Sequence, residues 1–177
     1  MKALIVIDMQ KDFTTGVLGN PQTAAVVEPV AEEIRRFRAE EPDGLVIATL
    51  DTHFPDYLNT QEGKFLPVPH CIKDSDGWEL CPEVRDALGE NAFYVEKNTF
   101  GAIGLPELFT DPETFPLDEI RVIGVCTDIC VISNAMILKA AFPEVPVKII
   151  QGCCAGVTPE SHENALRAMQ ACQMIVE

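Results

Sequence analysis

Six short apolar runs recur along the chain with helix-patterned stretches between them, and this alternation limits the fold more than any other feature. The runs cover residues 3–7, 45–50, 92–95, 121–125, 147–150 and 174–176. Their apolar residues are consecutive rather than alternating, which is how strands read when both faces are buried. Residues 23–38, 82–88, 105–109, 129–141 and 159–171 carry helical patterns between them. The last of these opens with Thr158 as N-cap, Pro159 at the first helical position and Ser161 behind it. Such an order predicts an α/β fold: an open, mostly parallel, Rossmann-like sheet covered by helices on both faces. A chain of 177 residues with no low-complexity linker fits one domain, residues 1–177.

One segment breaks the pattern. Residues 52–79, THFPDYLNTQEGKFLPVPHCIKDSDGWE, are rich in Pro, Gly and polar residues and show little periodicity. A loop of this length inside a compact domain usually serves function. It follows a strand directly, so it should lie over the carboxyl edge of the sheet, where open α/β folds bind ligands.

Composition removes several function classes. The formal charge of −15 would repel a polyanion, so neither nucleic acid nor an anionic membrane surface is an expected partner. No apolar run approaches the roughly 20 residues of a membrane span. The start, MKALIVIDMQKDF, carries an Asp inside its apolar run and reads as a first strand rather than a signal peptide, so a cytoplasmic location is expected. The seven cysteines are an odd number without a CxxC pair, which favours reduced thiols over a disulfide framework, a zinc ribbon or a thioredoxin site.

Three chemically able residues stand at predicted strand ends. Asp8 closes the first run, Lys97 follows AFYVE, and Cys130 follows RVIGV after a short turn that opens a helix. In a parallel sheet all three reach the same edge, offering a base, a cation and a nucleophile. A strand-to-helix turn also exposes backbone N–H groups that lower a thiol pKa, so Cys130 is expected to have thiolate character. Each residue has a plainer reading: Cys130 as a small core residue, Asp8 as a cap and Lys97 as a solvated surface residue. A second cluster combines Asp51 and His53 in DTHF with Glu62 and His70 in the long loop. Imidazoles with carboxylates suit a zinc, manganese or iron ion, and would equally serve as loop hydrogen-bonding groups. Asp128 is expected as an N-cap or loop hydrogen-bond acceptor, Trp78 as a packing anchor of the loop and His162 as a surface residue near a helix start.

Together, LIVIDMQKDF, DTHF, EGKFLPVPHC, EKNTFGA and GVCTDICV resemble the isochorismatase-like cysteine hydrolases, and among them the nicotinamidases. The resemblance runs from Leu4 to the final helix. It implies a six-stranded parallel sheet in a three-layer α/β/α sandwich and a catalytic triad falling on Asp8, Lys97 and Cys130. It also implies one divalent metal ion, with zinc first and manganese or iron as alternatives, held by Asp51, His53, His70 and Glu62. Some relatives have a further His shortly after the first; this chain has FPDYLN there, which matches the Glu-containing variant. A cis peptide at Val125–Cys126 is implied as well, with the N–H groups of Cys126 and Cys130 forming an oxyanion hole. Gly152 stands where relatives carry an acidic residue, a change expected to affect local packing more than chemistry.

The expected activity is amide hydrolysis through a Cys130 thioester, with nicotinamide yielding nicotinate and ammonia. Phe13, Leu18, Phe65 and Leu66 are the expected apolar walls for a flat substrate. The nearest alternative is hydrolysis of another small amide or an N-carbamoyl compound, and a more distant one is a non-catalytic binding or redox-sensing protein. Apolar residues on the nucleophile helix would allow a homo-oligomer, from dimer to tetramer.

Overall fold

The computed structural model describes residues 1–109 and 117–177. Six strands form one sheet: β1 (Lys2–Ile7), β2 (Leu45–Asp51), β3 (Phe93–Lys97), β4 (Glu119–Val125), β5 (Val147–Ala155) and β6 (Ile175–Val176). Their spatial order is β3-β2-β1-β4-β5-β6, and every neighbouring pair is parallel. The chain begins in the middle and winds first one way, then the other. The switch falls between β1 and β4, and the crevice beyond their carboxyl ends is the ligand position of such sheets.

Alternate residues of β1 enter different cores, which is why its apolar run is unbroken. Leu4 and Val6 pack with Val30, Ile34 and Phe37 of α3 (Val27–Glu40) and with Val84 and Leu88 of α5 (Pro82–Leu88). Ala3, Ile5 and Ile7 pack on the other face with Ala135 and Leu138 of α6 (Ile132–Ala141) and with Leu166 and Met169 of α7 (Pro159–Ala171). The result is the expected α/β/α sandwich. Gly124 is what allows β4 to approach β1 so closely: its φ is 115°, and a Cβ there would lie 2.2 Å from the Ile7 carbonyl oxygen.

Four elements differ from the sequence reading. The helix expected over 23–38 starts earlier, where Asn20 and Thr23 form a capping box with Pro21 at the first position, and is divided at Val26 into α2 (Pro21–Ala25) and α3. Residues 105–109 form 3-10 turns rather than an α-helix. The helix expected from 129 begins as a π-helical turn, Thr127–Val131, closed by the Val131 N–H on the Cys126 carbonyl. The long loop contains its own helix, α4 (Gln61–Phe65), which Thr60 caps by accepting the Gly63 N–H. α1 (Lys11–Thr14) follows β1 immediately.

β5 runs on past residue 150 to Ala155, and its register with β4 shifts between Val122 and Gly124. Gly152 lies on this extension with open space where a side chain would be, so the missing acidic group leaves no packing gap. No helix among the described residues is long and apolar enough to cross a membrane.

Candidate active site

The carboxyl ends of β1 and β3 and the turn after β4 bring the first three candidates together. Lys97 Nζ lies 2.7 Å from Asp8 Oδ2 and 3.6 Å from Cys130 Sγ. It also reaches Asp51 Oδ1 at 3.2 Å, so one ammonium joins both predicted clusters. All four groups are buried, with Cys130 only 5% exposed. Asp8 ends β1 with φ 46°, a left-handed conformation that Asp tolerates and that turns the chain into α1. Thr49 fixes its side chain: the hydroxyl donates to Asp8 Oδ1 at 2.6 Å and accepts the Asp8 N–H at 3.2 Å.

Burial sets the protonation of this group more than the turn does. Desolvation lifts the Asp8 carboxyl above the usual carboxylate range against the pull of Lys97, and Asp51 adds to the rise. Desolvation and the neighbouring Asp8 charge likewise raise the Cys130 thiol well above its ordinary value, with Lys97 opposing. Burial thus works against the thiolate expected at a helix start, and Lys97 works for it. Lys97 remains charged, because Asp8, Cys130 and Asp51 outweigh its own desolvation.

Asp51, His53 and His70 face one point. Asp51 Oδ2 is 3.0 Å from His53 Nε2 and 3.4 Å from His70 Nε2, and one ligand atom from each of the three lies within 4.8 Å of the others. Glu62 Oε1, carried by α4, is 3.6 Å from both imidazole nitrogens. The Val68 carbonyl meets His70 Nδ1 at 2.9 Å, which places the proton on that nitrogen and leaves Nε2 as a lone pair. His53 Nε2 is buried without a hydrogen-bond partner; its approach to Asp51 lacks hydrogen-bond geometry. A buried, orphaned nitrogen aimed with a second imidazole and a carboxylate at a common point fits a divalent metal ion. Burial opposes ionisation of Asp51, but the two imidazoles and Lys97 hold its carboxyl far below the usual range.

A cleft of about 970 Å³ opens onto Cys130 and the Asp–His–His group. Phe13, Leu18, Phe65 and Leu66 all line it, although Phe65 is 85% exposed and stands at the mouth. The sequence reading missed Tyr57 and Phe100. Tyr57 is fully buried, with its ring edge-on to His53 and His70 at 4.7 and 5.0 Å. No Lys or Arg lines the cleft among the described residues, while Asp51, Asp56 and Glu62 do.

Other supporting residues were also missed. Gln10 donates to the Asp51 and Trp78 carbonyls at 2.9 and 2.8 Å and accepts the Asp51 N–H at 2.8 Å, tying the long loop to β2. Trp78 anchors the same loop, donating its indole N–H to Thr52 Oγ1 at 2.9 Å. His162 does more than line a surface: its Nδ1 meets the buried Thr127 hydroxyl at 2.8 Å, in the turn leading to Cys130. Asp128 accepts the Val157 N–H at 3.1 Å, a loop hydrogen bond rather than a cap. A polar Thr49 inside LVIATLD was the one readable signal, since a buried hydroxyl needs a partner. The Val125–Cys126 peptide is cis.

A strand-end Asp and Lys with a Cys on a strand-to-helix turn, beside an Asp–His–His group fit for a divalent metal, on a six-stranded parallel sheet, define a hydrolase-type α/β site. The chain belongs to the isochorismatase family, whose domain model matches residues 2–177. It is 26% identical to the nicotinamidase/pyrazinamidase of Mycobacterium tuberculosis, over 96% of this chain and 95% of that protein. The crystal structure of Pyrococcus horikoshii pyrazinamidase in complex with zinc superposes with a TM-score of 0.80 at 26% identity, covering 99% of this chain and 98% of that one. The nicotinamidase/pyrazinamidase of Bacillus subtilis gives 0.83 at 27% identity, with the same two coverages.

Proposed function

We propose that the protein is a metal-containing cysteine amidohydrolase that converts nicotinamide to nicotinate and ammonia. The observation that carries this reading is the buried Lys97 ammonium set between Asp8 and Cys130, at 2.7 and 3.6 Å, behind an apolar cleft whose wall carries Cys130 and the proposed metal donors. The names of the relatives support the substrate class.

Asp8 takes the Cys130 thiol proton as the sulfur attacks the carboxamide carbon. Its raised pKa suits both directions of that transfer, because the protonated form then donates to the departing ammonia. The N–H groups of Cys126 and Cys130 are the proposed donors to the oxyanion, a role worth about 2.7–4 kcal/mol per donor. Water, deprotonated by Asp8, attacks the thioester and releases the carboxylate and the free thiol. Lys97 compensates the charge that moves between Asp8 and sulfur. A zinc ion, with manganese or iron as alternatives, would be held by Asp51, His53 and His70 with Glu62 beside them, and would supply a Lewis-acid anchor for a pyridine nitrogen.

The lining argues for a neutral substrate. A cleft with three carboxylates and no cationic side chain among its described lining residues disfavours an N-carbamoyl acid, whose carboxylate needs a positive partner. A sensor thiol needs neither Lys97 nor Asp8, yet both are held together at Cys130. Seven unpaired cysteines suit a reducing, cytoplasmic setting. Partly exposed Ile132, Met136 and Ile137 on α6 are the proposed contact of a dimer or tetramer.

The test is ammonia release from nicotinamide by purified protein, with bound metal measured on the same sample. Turnover with about one metal per chain, abolished by Cys130→Ala with the fold intact, is the expected result. Turnover retained by Cys130→Ala would overturn the covalent mechanism, and no release from metal-loaded protein would overturn the substrate.

A further inference from the structure

One buried polar side chain beside the nucleophile has no part in the mechanism above. Asn134, on α6 one turn after Cys130, is fully buried and uses both ends of its amide. Its Nδ2 donates to the Cys130 carbonyl at 2.8 Å and to the Phe100 carbonyl at 3.1 Å. Its Oδ1 accepts the Ala102 N–H at 2.9 Å. The Ala102 donor fixes which end is oxygen, so the side chain has one orientation.

The partners outside α6 belong to the turn that immediately follows Lys97. Asn98, Thr99 and Phe100 of that turn line the cleft, and Phe100 remains half exposed at its wall. The turn also lies hard against α6 at Gly101, where a Cβ would come within 2.5 Å of Ile137 Cδ1. Thr99 Oγ1 donates to the Gly101 carbonyl at 2.8 Å, which closes the turn on itself. Among the described residues, Asn134 is the side chain whose hydrogen bonds reach both the nucleophile's own peptide and the segment carrying a cleft wall.

We propose that Asn134 is a positioning residue that holds the Phe100 wall in register with Cys130, making Phe100 a specificity-determining contact for the ring of the amide substrate. The inference rests on the amidohydrolase reading. A shorter or apolar residue at 134 leaves the Ala102 N–H buried without its partner and takes the amide donor from the Phe100 and Cys130 carbonyls, and the turn must move to solvate the freed groups. Movement there displaces the wall, while the side chains of Asp8, Lys97 and Cys130 keep their contacts with one another. Binding should therefore suffer before chemistry does.

The experiment uses metal-loaded protein and nicotinamide, comparing Asn134→Ala, Asn134→Ser, Phe100→Ala and the double variant Asn134→Ala/Phe100→Ala. Asn134→Ala should raise KM about tenfold, the scale of one lost buried hydrogen bond, with kcat changed much less. Asn134→Ser, whose hydroxyl can still donate to the Cys130 carbonyl, should be intermediate and also covers failure of the Ala variant to fold. The double variant should be no worse in KM than Phe100→Ala alone, because both changes remove the same wall. Additive KM effects, or a fall in kcat at constant KM, would overturn the proposal. Amide hydrogen exchange at Ala102 gives a readout independent of turnover. Faster exchange in Asn134→Ser supports the positioning role even if wild type hydrolyses no nicotinamide, a result that would remove only the substrate reading. Unchanged exchange would overturn the positioning role itself.

Discussion

Lys97→Met removes a charge and keeps most of a side chain's volume, so it separates electrostatics from packing at the centre of the site. In the native protein the ammonium is 2.7 Å from Asp8, 3.2 Å from Asp51 and 3.6 Å from Cys130, with its side chain 2% exposed. Removing one partner of a buried ion pair strands the other and costs about 3–5 kcal/mol. Asp8 has an escape, since it can take up a proton. Burial already lifts its carboxyl above the ordinary value of 3.8, and the variant removes the strongest opposing influence.

The deficit must then depend on pH. Below the unfolded-state value near 3.8, Asp8 is protonated in both states and the deficit is absent. As pH rises from there, the unfolded chain ionises while the native carboxyl keeps its proton, so stability is lost up to the raised native pKa. For a chain of this size about 3–5 kcal/mol corresponds to roughly 6–20 °C in Tm, expected in full at pH 8 and only in part at pH 5. Calorimetry on wild type and variant at matched metal content reads this directly. Turnover at pH 7 should fall by about 10²–10⁴, the usual contribution of a general acid–base group, because Asp8 would hold its proton. An equal Tm loss at both pH values, or turnover within about tenfold of wild type, would refute the assignment.

Thr49→Val removes the 2.6 Å hydrogen bond to Asp8 and leaves the volume unchanged. Loss of a hydrogen bond to a charged group, about 1.5–3 kcal/mol, should move the acid limb of kcat/KM up by about 1–2 pH units; an unmoved limb would show that Asp8 is not the group titrating. Asp8→Asn should lower kcat by about 10²–10⁴ and slow alkylation of Cys130 by iodoacetamide, whereas unchanged alkylation would mean another group takes the thiol proton. His53→Ala removes one of three convergent donors. Second-layer changes at metal sites already cost about 10–100-fold in affinity, so metal content after dialysis should fall at least that far, and full retention would displace His53 from the site.

Much of this architecture was legible because its signals are local. Unbroken apolar runs identified the strands, since each buries alternate residues in two cores, as Leu4 and Ile5 do. Strand ends then placed Asp8, Lys97 and Cys130 at one edge before any distance was known. DTHF and the loop histidine pointed by residue type to the convergent Asp51, His53 and His70, and the ordered motifs supplied the family. The earlier start of the 23–38 helix was missed because its Asn20 capping box lies upstream of the apolar pattern.

Tertiary structure alone decided the rest. That Asp51 gives one oxygen to Lys97 and the other to the imidazoles, joining two clusters into one site, depends on the register of β2 against β3. The upward push on the Cys130 thiol pKa comes from how deeply the sulfur is buried, and local sequence pointed the other way. Thr49 and Asn134 gain their roles from partners far along the chain, Asp8 and Phe100. Periodicity reports which face of a strand or helix is apolar, whereas hydrogen bonding and desolvation depend on what is packed against that face.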